Sequence, residues 1–246
     1  MRAISRIILS SASSDLVFAG GGHVRPLTVR RSAAARAMRL SVDPRDGTVR
    51  LSLPPRAALR PALLWVENKR DWIEGALAAL PRARPIVPGA VIPFEGQPHT
   101  VVWQAGASRT VTLVDDRLLL GGPEEAVGQR VLRWMKGAAL ARLETQTHAV
   151  AARAGVTVSK VGIGDARSRW GSCSASGEIR YSWRLILAPP DVLEATVVHE
   201  VAHRLHMHHG PEFHHAVKRL LGRDPAGERQ WLRTHGAELY WYGRDH

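Results

Sequence analysis

Seven of the twelve histidines in this 246-residue chain lie between His199 and His215, and the first two frame the string His199-Glu200-Val201-Ala202-His203. On an α-helix, residues four apart lie one turn above each other, so His199 and His203 can offer imidazole nitrogens to one ion. Glu200 then points beside the pair, where a carboxylate can take a proton from a water that the ion acidifies. The spacing predicts a helical zinc site with its own general base, Glu200. Pro189 and Pro190 suit the opening turn of that helix, and Asp191 and Glu194 suit its positive end. Val192, Leu193, Ala195, Val198 and Ala202 supply its apolar stripe.

A third ligand cannot come from the same straight helix. His206 shares the face but sits about 10 Å along the axis from His199, at roughly 1.5 Å per residue, and ligand atoms stand only about 2 Å from zinc. The chain has to turn back first, and Gly210-Pro211 is the stop signal directly after His209. His209 is therefore the expected third ligand. This is the ligand spacing of metzincin proteases, with His206 at the usual glycine of the bend. His206, His208 or a distant acid such as Glu212, Glu228 or Glu238 are the alternatives. His214 and His215 read as solvated or core-edge residues of the next helix.

Upstream, Arg169-Trp170-Gly171-Ser172-Cys173-Ser174 and Trp183-Arg184-Leu185-Ile186-Leu187-Ala188-Pro189-Pro190 lead into this helix. With His199 to His203 and the run His209-Gly210-Pro211-Glu212-Phe213, they make the chain resemble the YgjP-like metallopeptidase family, kin to the SprT-like and WLM zinc proteases. The resemblance runs from about residue 16 and takes in Trp231-Leu232-Arg233 and His235-Gly236-Ala237. It implies a zincin-type fold, one zinc ion and peptidase activity on a protein or peptide. Ser182 stands where the family usually has Asn, and His214 where Trp commonly follows Phe213. Neither is a ligand position.

Arg169, Arg184 and Tyr181 are the expected substrate-binding residues, the arginines through a carboxylate or phosphate, or else as organisers of their loop. The oxyanion donor is open among Tyr181, Arg184, His206, His214 and Tyr240. Arginines around a zinc site also suit a nucleoside-triphosphate pyrophosphohydrolase. A third reading is a DNA-associated binding protein with a structural zinc. Glu200 argues against it, because a structural site needs no carboxylate between its histidines.

Net charge is +12 and unevenly placed: residues 1–123 hold 17 Lys/Arg against 9 Asp/Glu, and residues 124–246 hold 17 against 13. Arg30, Arg31, Arg36 and Arg39 form the densest patch. The N-terminal half is thus the expected contact for DNA or nucleotide, with a merely solubilising surface as the alternative. One cysteine, Cys173, excludes an intramolecular disulfide and fits a reducing cytoplasm. It reads as a small packed residue rather than a zinc ligand or thiol switch. No apolar run approaches the roughly 20 residues that cross a bilayer, so no membrane partner is expected.

The elements that must position these residues read as α+β. Residues 1–15 are expected to be a disordered leader, 16–123 a β-rich module and 124–246 a zincin-like catalytic domain. In the module, Leu16 to Ala19 and Val24 to Val29 form one hairpin, and Met38 to Val42 pairs with Thr48 to Leu53 in another. Pro61 to Leu80 reads as an amphipathic helix, followed by strands near Val91 to Pro93, Thr100 to Gln104, Thr110 to Val114 and Leu118 to Leu120. The catalytic half opens with a long helix from about Glu124 to Ala154. Strands from Val156 to Ile163 and Glu178 to Leu187 flank a loop at 167–177, and a strand of this kind is expected along the cleft, where it can pair with an extended substrate.

Overall fold

In the computed structural model, which describes residues 8–9 and 16–244, alternating apolar and polar side chains build the first sheet as expected. Its strands are β1 (Ile8–Leu9), β2 (Leu16–Gly20), β3 (His23–Arg31), β4 (Arg39–Val42) and β5 (Val49–Leu53), in the order β1-β2-β3-β5-β4. Both expected hairpins are present, β2 with β3 and β4 with β5. Gly21 and Gly22 make the first turn at φ of 56° and 78°, a region open to glycine because it has no Cβ. A parallel pairing of β3 with β5, which sequence patterning does not announce, joins the hairpins and sets Leu27 opposite Val49.

One face of this sheet buries Phe18, Leu27, Val49, Leu51 and Leu53 against Ala62, Val66, Ile73 and Leu77. Those last four lie on α1 (Leu59–Glu67) and α2 (Arg70–Ala78), where a single helix was expected. The chain breaks at Asn68-Lys69, Lys69 adopting φ −102° and ψ 13°. Asn is a weak helix former, and Arg70 locks the junction by donating to the Ala19 carbonyl at 2.8 Å while pairing with Glu67 and Glu74. The expected leader lies outside the described residues except for Ile8–Leu9, whose backbone pairs with Leu16 and Val17.

The chain forms two compact units, Met1–Arg82 and Ala83–His246. Residues 83–123, grouped by sequence with the N-terminal module, therefore fall in the second unit. The reason is packing: the sheet they form, β6 (Val91–Phe94), β7 (Gln97–Trp103), β8 (Thr112–Val114) and β9 (Arg117–Leu120), buries Ile92, Val101, Leu118 and Leu120 in the same core as the long helix. That helix, α3 (Val127–Ala154), carries Val131, Met135, Ala139, Leu143, Thr147 and Val150 on one buried face and ends at left-handed Gly155.

A three-stranded sheet follows, with β10 (Lys160–Gly164) parallel to β12 (Glu178–Ser182) and β11 (Gly171–Cys173) antiparallel at its edge. Trp183–Leu187, expected to extend β12, instead coils into a buried 3-10 turn begun by the Ser182 hydroxyl, which accepts from the Arg184 N–H. The helices α4 (Pro190–Ala202), α5 (Pro211–Leu221) and α6 (Ala226–His235) complete the unit. Among the described residues the architecture is mixed α+β, six helices with three small sheets, and no helix is long and apolar enough to cross a membrane.

Candidate metal centre

Pro189 and Pro190 open α4, Asp191 occupies its first turn, and Val192, Leu193, Val197, Val198 and Val201 bury it in the core. Burial on almost all sides fixes the rotation of the helix, so His199 and His203 are turned together, with ring centroids 5.1 Å apart. The helix stops earlier than Gly210-Pro211 alone suggests. His203 is already its cap residue, and 204–209 form an irregular turn. Side chains hold that turn: Arg204 donates to the carbonyls of Thr157 (3.1 Å) and Ala175 (3.0 Å). The His203 ring donates from Nδ1 to the His206 carbonyl at 3.2 Å, which leaves Nε2 free to face the cavity.

The turn brings His209 back over the helix. Its Nε2 lies 3.1 Å from Nε2 of His199, and one ligand atom from each of His199, His203 and His209 lies within 4.8 Å of the other two. Two nitrogens on one tetrahedral ion, each about 2.0–2.1 Å from it, stand roughly 3.3 Å apart, so the cluster fits a small metal ion. Gly210 then takes an extended conformation, and Pro211 starts α5. Phe213, buried one turn into α5, places its ring 4.9, 4.6 and 4.7 Å from the rings of His199, His203 and His209. It is the floor on which the three imidazoles rest.

Burial, reinforced by His203 and His209, pulls the His199 pKa down to about 4, and burial also lowers that of His203. At neutral pH these rings are uncharged, the form that binds metal. Burial pushes the Glu200 carboxyl up to about 7, with Arg169 opposing the shift. Glu200 is fitted against β11: a Cβ at Gly171 would lie 2.5 Å from Glu200 Oε1. These groups open on a cavity of about 500 Å³, walled by 169–173 on one side and by Arg229 and Leu232 of α6 on another.

Of the expected residues, the structure brings together His199, Glu200, His203, His209 and Arg169. It does not bring Arg184 or Tyr181 to the cavity wall. Arg184 is buried, binds both oxygens of Asp165 (2.7 and 3.1 Å) and donates to the carbonyls of Leu239 and Tyr242, so its guanidinium is committed to the framework. Tyr181 is buried with its hydroxyl 3.0 Å from Thr147 Oγ1, and burial raises its pKa. Tyr240 is likewise committed, donating to the Ala166 carbonyl at 2.7 Å. Among the distant acids, Glu228 binds Arg223 and Glu238 binds Arg84, and neither joins the metal cluster. His214 stacks on His209 with centroids 6.5 Å apart. Sequence reasoning missed Arg229, one arginine among many with no motif around it, and the short strand β11, whose three residues are too few to show an alternating pattern. The Gly171 contact had a visible signal, a glycine in the Trp170-Gly171-Ser172 string.

Three converging imidazoles that could hold a metal ion, beside a protonatable carboxyl in an open cavity, are the arrangement of the metallohydrolase class. Residues 36–235 match the YgjP-like, metallopeptidase domain family, and the chain belongs to that family. No curated protein and no solved structure matches it.

Proposed function

We propose that this chain is a zinc-dependent peptidase of zincin-like fold, in which His199, His203 and His209 hold the ion and Glu200 is the general base. The observation that carries this reading is the convergence of three imidazoles next to a buried carboxyl on an accessible cavity. Bound there, zinc would supply Lewis acidity toward water and toward a scissile carbonyl. Glu200 takes the proton at its carboxylate and returns it to the leaving amine, a role suited to a pKa near the working pH. The substrate backbone has a place to lie. Trp170 accepts from Ser182, and Ser174 donates to Glu178, so the alternating pattern turns the N–H and C=O of Gly171 and Cys173 toward the open edge of β11. An extended peptide can pair there as a fourth strand.

Arg169 and Arg229 on the cavity walls favour a second reading with the same ion, hydrolysis of a nucleoside triphosphate. A purely structural zinc is disfavoured, since Glu200 faces the cavity and the described residues offer only three ligands. The single thiol of Cys173 supports a reducing, cytoplasmic location. The test is hydrolysis of an unfolded protein and of nucleoside triphosphates by the zinc-loaded chain, with Glu200→Gln as the blank. Peptide products that disappear in the blank support the peptidase. Pyrophosphate release without peptide products replaces it with the second reading.

A further inference from the structure

The N-terminal unit carries a cleft unrelated to the metal centre. Trp65 of α1, Lys69 at the break between the helices and Trp72 of α2 line, with Leu40 of β4, a cavity of about 240 Å³. Trp72 is half exposed, and so are Leu64 and Met38 at the surface of the same unit. The volume lies below the roughly 300–1,000 Å³ of sites that enclose a whole small ligand. It suits one flat ring system at a time.

β4 is the edge strand of its sheet, and adjacent residues on a strand face opposite sides. Leu40 looks into the tryptophan cleft, and Arg39, one residue away, stands on the uncovered face. There Arg39 and Arg30 flank Ser52 from β4 and β3, and Arg50 lies in the next row between Thr28 and Ser41. Arg30, Arg39 and Lys69 have no ion-pair partner among the described residues, whereas Asp43 is held by Arg45 and Arg50, and Glu67 and Glu74 by Arg70. Residues 16–82 contain 12 Lys/Arg against 5 Asp/Glu. Arg31 does not belong to this surface, because its guanidinium donates to the carbonyls of Pro55 and Ala57.

We infer that Trp65, Lys69 and Trp72, with Arg39 and Arg30 across the edge of β4, form a binding site for single-stranded nucleic acid. Flat apolar rings need the cleft and closely spaced anions need the free cations, and a strand with unpaired bases presents both at short intervals. A duplex hides its ring faces in the stack, and a simple polyanion has none. The inference is independent of the peptidase reading, since none of these residues belongs to the zinc site.

The test is fluorescence anisotropy of the full-length chain with a labelled 20-nucleotide oligothymidine, its duplex with oligoadenosine, and an abasic strand of equal length, across a salt series. The single strand should bind at least tenfold more tightly than the abasic strand and more tightly than the duplex. Trp72→Ala should weaken it about 5- to 150-fold, the range for loss of one stacked base, and Trp72→Phe should restore most of that. Arg30→Ala with Arg39→Ala should flatten the log-log salt slope by about 0.7 per phosphate released. Equal binding of abasic and normal strands, no effect of Trp72→Ala, or no binding at low salt would each overturn the proposal. Circular dichroism of each variant separates loss of the site from loss of the fold.

Discussion

Gly171 and Glu200 meet at the cavity wall so closely that a Cβ at position 171 would sit 2.5 Å from Oε1, 2.6 Å from Cγ and 2.7 Å from Cδ of the glutamate. All three are side-chain atoms of a residue buried in the helix face, so Glu200 has to rotate if the space is filled. Gly171→Ala should therefore keep the fold and bind zinc as the wild type does, yet lose at least tenfold in hydrolysis, because the proton acceptor is displaced. Zinc content, circular dichroism and turnover measured together decide this. Wild-type turnover in a folded Gly171→Ala protein would show that Glu200 is free to move.

The three imidazoles rank differently from their neighbours. His199→Ala and His203→Ala should abolish stoichiometric zinc, and His209→Ala should weaken it at least tenfold, since each contributes a converging nitrogen. His206→Ala should change affinity little, because His206 serves through its backbone carbonyl, which the substitution leaves in place. Competition against a chelator with elemental analysis gives the order, and a loss at His206 equal to that at His209 would contradict it.

Glu200→Gln preserves shape and should keep zinc while lowering turnover by about 10² to 10⁴. The same variant carries a pH signature in the metal-free protein. The folded-state pKa of Glu200, about 7, lies above its unfolded value, so the wild type loses stability as pH rises from about 4.5 to about 7 and then levels off. Glu200→Gln should be more stable than wild type by an amount that grows across that window to on the order of 3 kcal/mol. Urea unfolding at pH 5 and pH 8 in the presence of chelator measures the difference. An equal effect at both pH values would mean that Glu200 ionises normally.

Arg184 belongs to the scaffold. Arg184→Met leaves Asp165 and two carbonyls without their donor and should cost about 2–4 kcal/mol. Zinc affinity should be unchanged. Thermal unfolding with zinc titration separates this from a role at the substrate, in which stability would hold and KM would rise.

The sequence by itself placed the residues of the candidate centre. His199, Glu200 and His203 fall within about one helical turn, and helical geometry is local, so the spacing alone places them; Gly210-Pro211 likewise required the chain to turn before α5. Hairpins closed by short turns were legible for the same reason. What needed the tertiary structure were contacts between segments distant in sequence. The helix ends at His203 because Arg204 and the His203 ring find carbonyls on the following turn and on other segments. Arg184, a charged residue in the Trp183-Arg184-Leu185 run, is drawn into the framework by Asp165 and the C-terminal turn. Arg229, 29 residues beyond Glu200, reaches the cavity only because α6 packs on α4. The first unit ends at Arg82 because the strands after it bury their apolar faces with α3. Spacing along a chain fixes neighbours within an element, whereas the partner of each buried face is chosen by the packing of all elements at once.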